Sequence, residues 1–129
     1  MQERIKKVKE DLRRLRHLSH NIDASLEVKR HEEARLAFLC EHGGDAAEMA
    51  RVEGVIAALK TEEYIRAASE LEERYMSEIG KLSEVERTIV LKGYVMGTPF
   101  WRVARELGYS ERSVKAKAQV AIEQIAKKM

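Results

Sequence analysis

One cysteine, Cys40, leaves no partner for a disulfide within the chain, a usage that fits a reducing compartment. One proline, Pro99, and an aromatic content of 5% argue against a β-sandwich or a large compact core. Long solvated helices are the expected alternative. No apolar run is long enough to span a bilayer, and the charged N-terminus has no apolar stretch of the signal-peptide kind. The expected location is therefore the cytoplasm. No Gly-rich phosphate loop, nucleophile motif or pair of catalytic carboxylates is found, so neither catalysis nor a bound cofactor has support. His17 and His20 lie three apart and Cys40 lies near His42, but this spacing follows no compact zinc pattern. No metal site is expected.

What the chain has in quantity is charge. Asp, Glu, Lys and Arg make up 36% of the 129 residues, and the net charge is +2. That small sum hides an uneven distribution. Residues 1–41 hold ten Lys/Arg against eight Asp/Glu, residues 42–82 five against nine, and residues 83–129 nine against five. An acidic middle beside a basic end implies separate tasks, with the basic end nearest a polyanion.

The N-terminal part reads as long helix. Ile5, Val8, Leu12, Leu15, Ile22 and Leu26 follow an alternating three-four spacing with Ser19 at the one polar seam position, a stripe suited to another helix. The seam weakens at Lys29 and Glu33, and the helix is expected to run to about Glu41. His42-Gly43-Gly44 ends it. Asp45-Ala46-Ala47-Glu48 has the form of a capping box and opens a second long helix, with Met49, Val52, Ile56 and Leu59 as its stripe. The stripe resumes as Ile65, Ala68, Tyr75, Ile79 and Leu82, with a phase slip near Lys60-Thr61-Glu62 where a break is possible. Residues 1–81 thus read as a coiled-coil-like helical hairpin for oligomerisation or partner docking, because a narrow hairpin buries little apolar area alone. The cations Arg4, Lys6, Lys7, Lys9, Arg13, Arg14 and Arg16 fit the solvated flank of such a coil better than a second phosphate-contacting surface.

Residues 82–129 read differently. Ser83-Glu84-Val85-Glu86 is a second capping box, and Ile89, Val90 and Tyr94 line the inner face of the helix it opens. Gly93 permits a close helix approach and Gly97 ends the helix. Thr98 is expected as the next N-cap, with Pro99 at the first helical position. Phe100, Val103, Ala104 and Leu107 form the buried side of a short helix, Gly108 supplies a turn with Tyr109 packed beneath it, and Ser110 caps a final helix over 111–128. On that helix Val114, Ala118, Ala121, Ile122 and Ile125 share one arc. The opposite arc holds Arg112, Ala116 and Gln119, flanked by Ser113 and Lys115. Arg pairs with guanine, Gln with adenine, and an Ala methyl meets a thymine methyl. Lys115 and Lys117 suit phosphates, and Arg102 and Arg105 could hold the backbone beside the groove. Glu111 either complements the helix dipole or selects cytosine. Two helices joined by a Gly turn, the second with a cationic face, have the pattern of a helix-turn-helix. A protein-docking module has capped helices and a Gly turn as well.

The run Leu82-Ser83-Glu84-Val85-Glu86-Arg87 through Gly97, followed by Val103-Ala104-Arg105-Glu106-Leu107-Gly108-Tyr109-Ser110-Glu111-Arg112-Ser113-Val114-Lys115, resembles sigma-factor region four over roughly residues 82–126. With its helical N-terminal part, the chain looks like the small ArpU/RinA-like transcriptional regulators of phages and prophages. The resemblance implies an all-α protein with its last helix in the major groove of double-stranded promoter DNA, and contact with bacterial RNA polymerase. It departs from the family in having no segment like the one that binds the −10 element. It also departs in Trp101, which stands where a charged residue is usual and is either an exposed stacking or partner-binding group or a cover for Phe100. A homo-oligomer, preferably a dimer, is the expected assembly. The alternative is a small terminase-like DNA recogniser for phage genome packaging, which would form a large ring.

Overall fold

The computed structural model describes residues 1–129, all of them in helices or the short connections between them. Six α-helices follow one another: α1 (Gln2–Glu41), α2 (Ala46–Ala58), α3 (Thr61–Gly80), α4 (Glu84–Val90), α5 (Phe100–Leu107) and α6 (Glu111–Lys128). A single wider π-helical turn, Leu91–Val95, extends α4. The chain is all-α, with a long first helix and shorter ones after it.

The caps read from the sequence are in place at three of the starts. The Ala47 N–H donates to Asp45 Oδ1 at 3.0 Å, the Glu86 N–H to Ser83 Oγ at 3.2 Å, and the Ser113 N–H to Ser110 Oγ at 3.1 Å. Each satisfies one of the orphan donors of a first helical turn. At Ser83 the box closes through side chains, with the hydroxyl donating to Glu86 Oε1 at 2.7 Å. At Asp45 it does not close, because Glu48 is taken by Arg35 at 2.5 Å. The expected Thr98 cap is displaced by one residue. Pro99 itself is the cap, with ψ 144°, and its carbonyl accepts from the N–H groups of Arg102 and Val103. α2 and α3 break at Leu59 and Lys60, where Leu59 is extended at ψ 133°. No glycine or proline forces that break. It lies where the apolar stripe loses phase, and it lets Thr61 bury its hydroxyl against Ser25.

The chain forms two compact units, and they do not divide at 81/82. One unit is Met1–His17 together with Ala68–Met129, and the other is Leu18–Ala67. Both α1 and α3 give residues to each. The expected boundary was drawn at a connection between helices, but an apolar stripe says only that a helix is covered, not by which partner.

In the first unit α4 and α5 pack on α6. Val114, Ala118, Ala121, Ile122, Ile125 and Ala126 line the covered face of α6, against Ile89, Val90, Val103 and Ala104. Three alanines on that face allow close approach, and the β-branched neighbours fill the space at low rotamer cost. Val8, Leu12 and Leu15 of α1 are buried in the same unit, as are Leu71, Tyr75, Ile79 and Leu82. One charge is buried among them. Asp11 accepts from the Tyr75 hydroxyl and lies 3.3 Å from Lys7 Nζ and 3.7 Å from an Arg74 guanidinium nitrogen. Burial first, and then the hydrogen bond to Asp11, push the Tyr75 phenol well above its ordinary pKa, so it stays a donor.

The second unit is thinner. Only Leu18, Ser25, Val52 and Thr61 are buried in it, and two of those are polar. Thr61 donates to Ser25 Oγ at 2.9 Å, and Ser25 donates to the Ile22 carbonyl at 3.2 Å. The expected seam of α1 is corrected here. After Leu15 the buried positions step by three to Leu18 and on to Ser25, so Ser19 is exposed and Leu26 is 46% exposed. The Thr61 hydroxyl, which bonds Ser25, favours this register over the strict heptad.

Candidate nucleic-acid interface

The turn between α5 and α6 begins at Gly108, whose φ of 75° is the left-handed conformation that a side chain disfavours. The Tyr109 N–H then reaches back to the Ala104 carbonyl at 3.0 Å, closing the end of α5, and Ser110 opens α6. A residue without a Cβ, followed two positions on by a capping serine, sets the angle between the two helices within three positions. Because α6 buries one arc completely, its remaining arc is held toward solvent by the core itself.

On that outer arc the structure places Arg112, Lys115, Ala116 and Gln119, all exposed. Their neighbours are constrained. Ser113 is half-buried and its N–H is spent on Ser110. The Ser110 oxygen accepts from the Ser113 N–H as the cap of α6, which leaves its hydroxyl proton free to donate. Glu111 pairs with Lys115 at 3.2 Å across one helical turn, a structural use of that carboxylate. Lys117 is half-buried, with its ammonium 5.4 Å from the centre of the Tyr109 ring. Tyr109 therefore does not pack beneath the turn as expected. It is 41% exposed, and its ring faces the Lys117 ammonium instead.

The two arginines of α5 differ. Arg105 is exposed, and none of the ion pairs involves it. Arg102 lies 3.7 Å from Glu106, which also accepts from Lys92 at 2.7 Å. The Lys92 hydrogen bond holds the Glu106 carboxyl below its ordinary value against an opposing desolvation, and the charges of Lys92 and Arg102 add to the lowering. Arg102 thus reaches a phosphate only by leaving an internal partner. Trp101 is 55% exposed. Phe100 meets Tyr94 edge to face, with centroids 5.8 Å apart.

Gln119 is also engaged. Its amide nitrogen donates to Glu123 at 3.1 Å, and its oxygen accepts from Lys9 Nζ at 3.5 Å. Lys9 belongs to α1, and sequence reasoning placed it on a coiled-coil flank. Val120, 49% exposed on the same helix, was not singled out either. The i+4 step from Ala116 could have found Val120, but nothing local could have found Lys9. No group of three or more His, Cys, Asp or Glu is placed to hold a metal ion. No helix is long and apolar enough to cross a membrane.

The comparisons with known proteins add no relative: no family model, curated protein or solved structure matches the chain.

Proposed function

We propose that the protein is a sequence-specific DNA-binding transcriptional regulator of phage or prophage origin, acting in the cytoplasm and related to sigma region four. The observation that carries the reading is the pairing on α6 of a fully buried inner face with an outer arc of Arg112, Lys115, Ala116 and Gln119. An α-helix of about 10–12 Å diameter fits a major groove about 12 Å wide. A rigid helix that presents donors and a methyl group along one arc reads base edges there. Arg112 contacts guanine, Gln119 exchanges Glu123 for adenine, and Ala116 meets thymine. Lys115, Lys117, Arg102 and Arg105 bind phosphates.

Selection of bound sequences from random duplex DNA, followed by footprinting, tests this. Arg112→Ala and Gln119→Ala should each relax preference at one position and cost about 1–3 kcal/mol on the selected site. Footprints unchanged by both substitutions would remove α6 from the groove.

The unit Leu18–Ala67 is proposed to recruit a second contact, either another copy of the chain or RNA polymerase. It exposes Leu26, Val28, Phe38, Val55 and Ile65 over a small core. One reading helix has modest specificity, and a second extends the site. The solution mass separates this from a packaging role: a dimer agrees with the regulator, and a ring of eight or more copies with a terminase-like protein.

A further inference from the structure

Of the cations on the first four turns of α1, Lys9, Arg13 and Arg16 lie on one face, at i, i+4 and i+7. None of the three takes part in an ion pair, whereas Lys7 is committed to Asp11. Three separate observations set this row against the part of the molecule that carries α6. Lys9 Nζ is 3.5 Å from Gln119 Oε1. The Arg16 guanidinium lies over Gly97, so close that a Cβ there would meet Nη1 at 2.7 Å. Tyr94, raised above its ordinary pKa by burial, feels the opposing charge of Arg13.

We propose that Lys9, Arg13 and Arg16 form a second row of contacts to the phosphates of the duplex that α6 reads. The proposal rests on α6 being a groove-reading helix. A helix in the major groove nearly fills its width, so groups flanking the helix meet the phosphates at the groove edge. Lys9 touches the edge of the reading arc at Gln119, which puts the row in that flanking place. The row is about 10 Å long at ~1.5 Å per residue, enough to face about two to three successive phosphates, each of which rises ~3.4 Å along the duplex axis. Cations already gathered without acidic partners bind those phosphates without first breaking an internal pair. The occupant is double-stranded DNA, because Lys9 at the head of the row meets Gln119, one helical turn along the outer arc of α6 from Lys115.

The test is the salt dependence of binding by the full chain to a mixed-sequence duplex a few helical turns long. Each phosphate contact contributes about 0.9 to the slope of log affinity against log salt, so K9Q/R13Q/R16Q should flatten it by about 2 to 3. K9Q/R13Q, which keeps Arg16 over Gly97, should flatten it by about 1 to 2 and decides the matter if the triple variant fails to fold. K60Q/R51Q/R66Q removes the same charge from the other unit and should leave the slope near that of the unaltered chain. A triple or double variant with the control's slope overturns the row. If R112A has meanwhile lost affinity for its selected site, the reading by α6 survives that result. Absence of any salt-sensitive DNA affinity in the unaltered chain overturns both.

Discussion

The two compact units of this chain have opposite charge and unequal cores. Met1–His17 with Ala68–Met129 holds eighteen Lys/Arg against twelve Asp/Glu, a balance of +6, while Leu18–Ala67 holds six against ten, a balance of −4. The basic unit packs three α6 alanines and two isoleucines against two further helices. The acidic unit has two buried apolar side chains and a two-hydroxyl bridge. The difference teaches where rigidity is concentrated. A side chain that reads base edges must be held in place by its neighbours, whereas a surface that awaits a partner can leave its apolar groups uncovered.

The largest test of that contrast is in the basic core. Ile122→Ala removes a side chain with no exposure and should cost about 2–5 kcal/mol in urea denaturation. Leu18→Ala, 8% exposed in the thin unit, should fall at or below the low end of that range, near ~2 kcal/mol. Equal costs would break the comparison.

Two glycines sharpen it with opposite signs. A Cβ on Gly93 would stand 2.5 Å from Phe100 Cε1, and the ring is confined by its contact with Tyr94. Gly93→Ala should destabilise by about 1–3 kcal/mol. Gly54, inside α2, has nothing within 4 Å of such an atom, and Gly54→Ala should stabilise by about 0.5–1 kcal/mol through helix propensity. Thermal melts followed by circular dichroism read both. A neutral Gly93→Ala would mean that Phe100 is free to move.

The smallest effect concerns acid. The Glu106 pKa is lowered from its ordinary 4.5, chiefly by Lys92. A depressed carboxyl stabilises the fold above the unfolded value and loses that contribution as pH falls through the folded one. Glu106→Gln should therefore narrow the stability difference between neutral pH and the range below about 4.5. It should also free Arg102 and slightly steepen the salt dependence of DNA binding. A melt-against-pH curve identical to that of the unaltered chain would mean that the Lys92 pair contributes nothing.

Much of residues 82–129 was legible because its information is local. Ser83 and Ser110 each accept from a backbone N–H three positions on, Gly108 answers a requirement for positive φ, and the α6 stripe repeats with the helical period. The errors arose where a choice depended on distant residues. Tyr109 was expected to pack beneath the turn, but its Lys117 partner lies on the next helix. Leu26 fitted a heptad, but Thr61, thirty-six residues beyond Ser25, bonds the alternative face. Leu71 completes the stripe between Ala68 and Tyr75 and was visible in the spacing, yet the smaller Ala68 drew the line instead.

The sequence by itself determined the helices, most of their caps and the arc of α6 that faces outward, since these follow from backbone chemistry and a 3.6-residue period. Only the tertiary structure decided that the first four turns of α1 belong with the last helix, leaving Lys9 beside Gln119. Periodicity marks a face to be covered. Which surface covers it is settled by the combined shape and charge of segments more than a hundred residues apart in the chain.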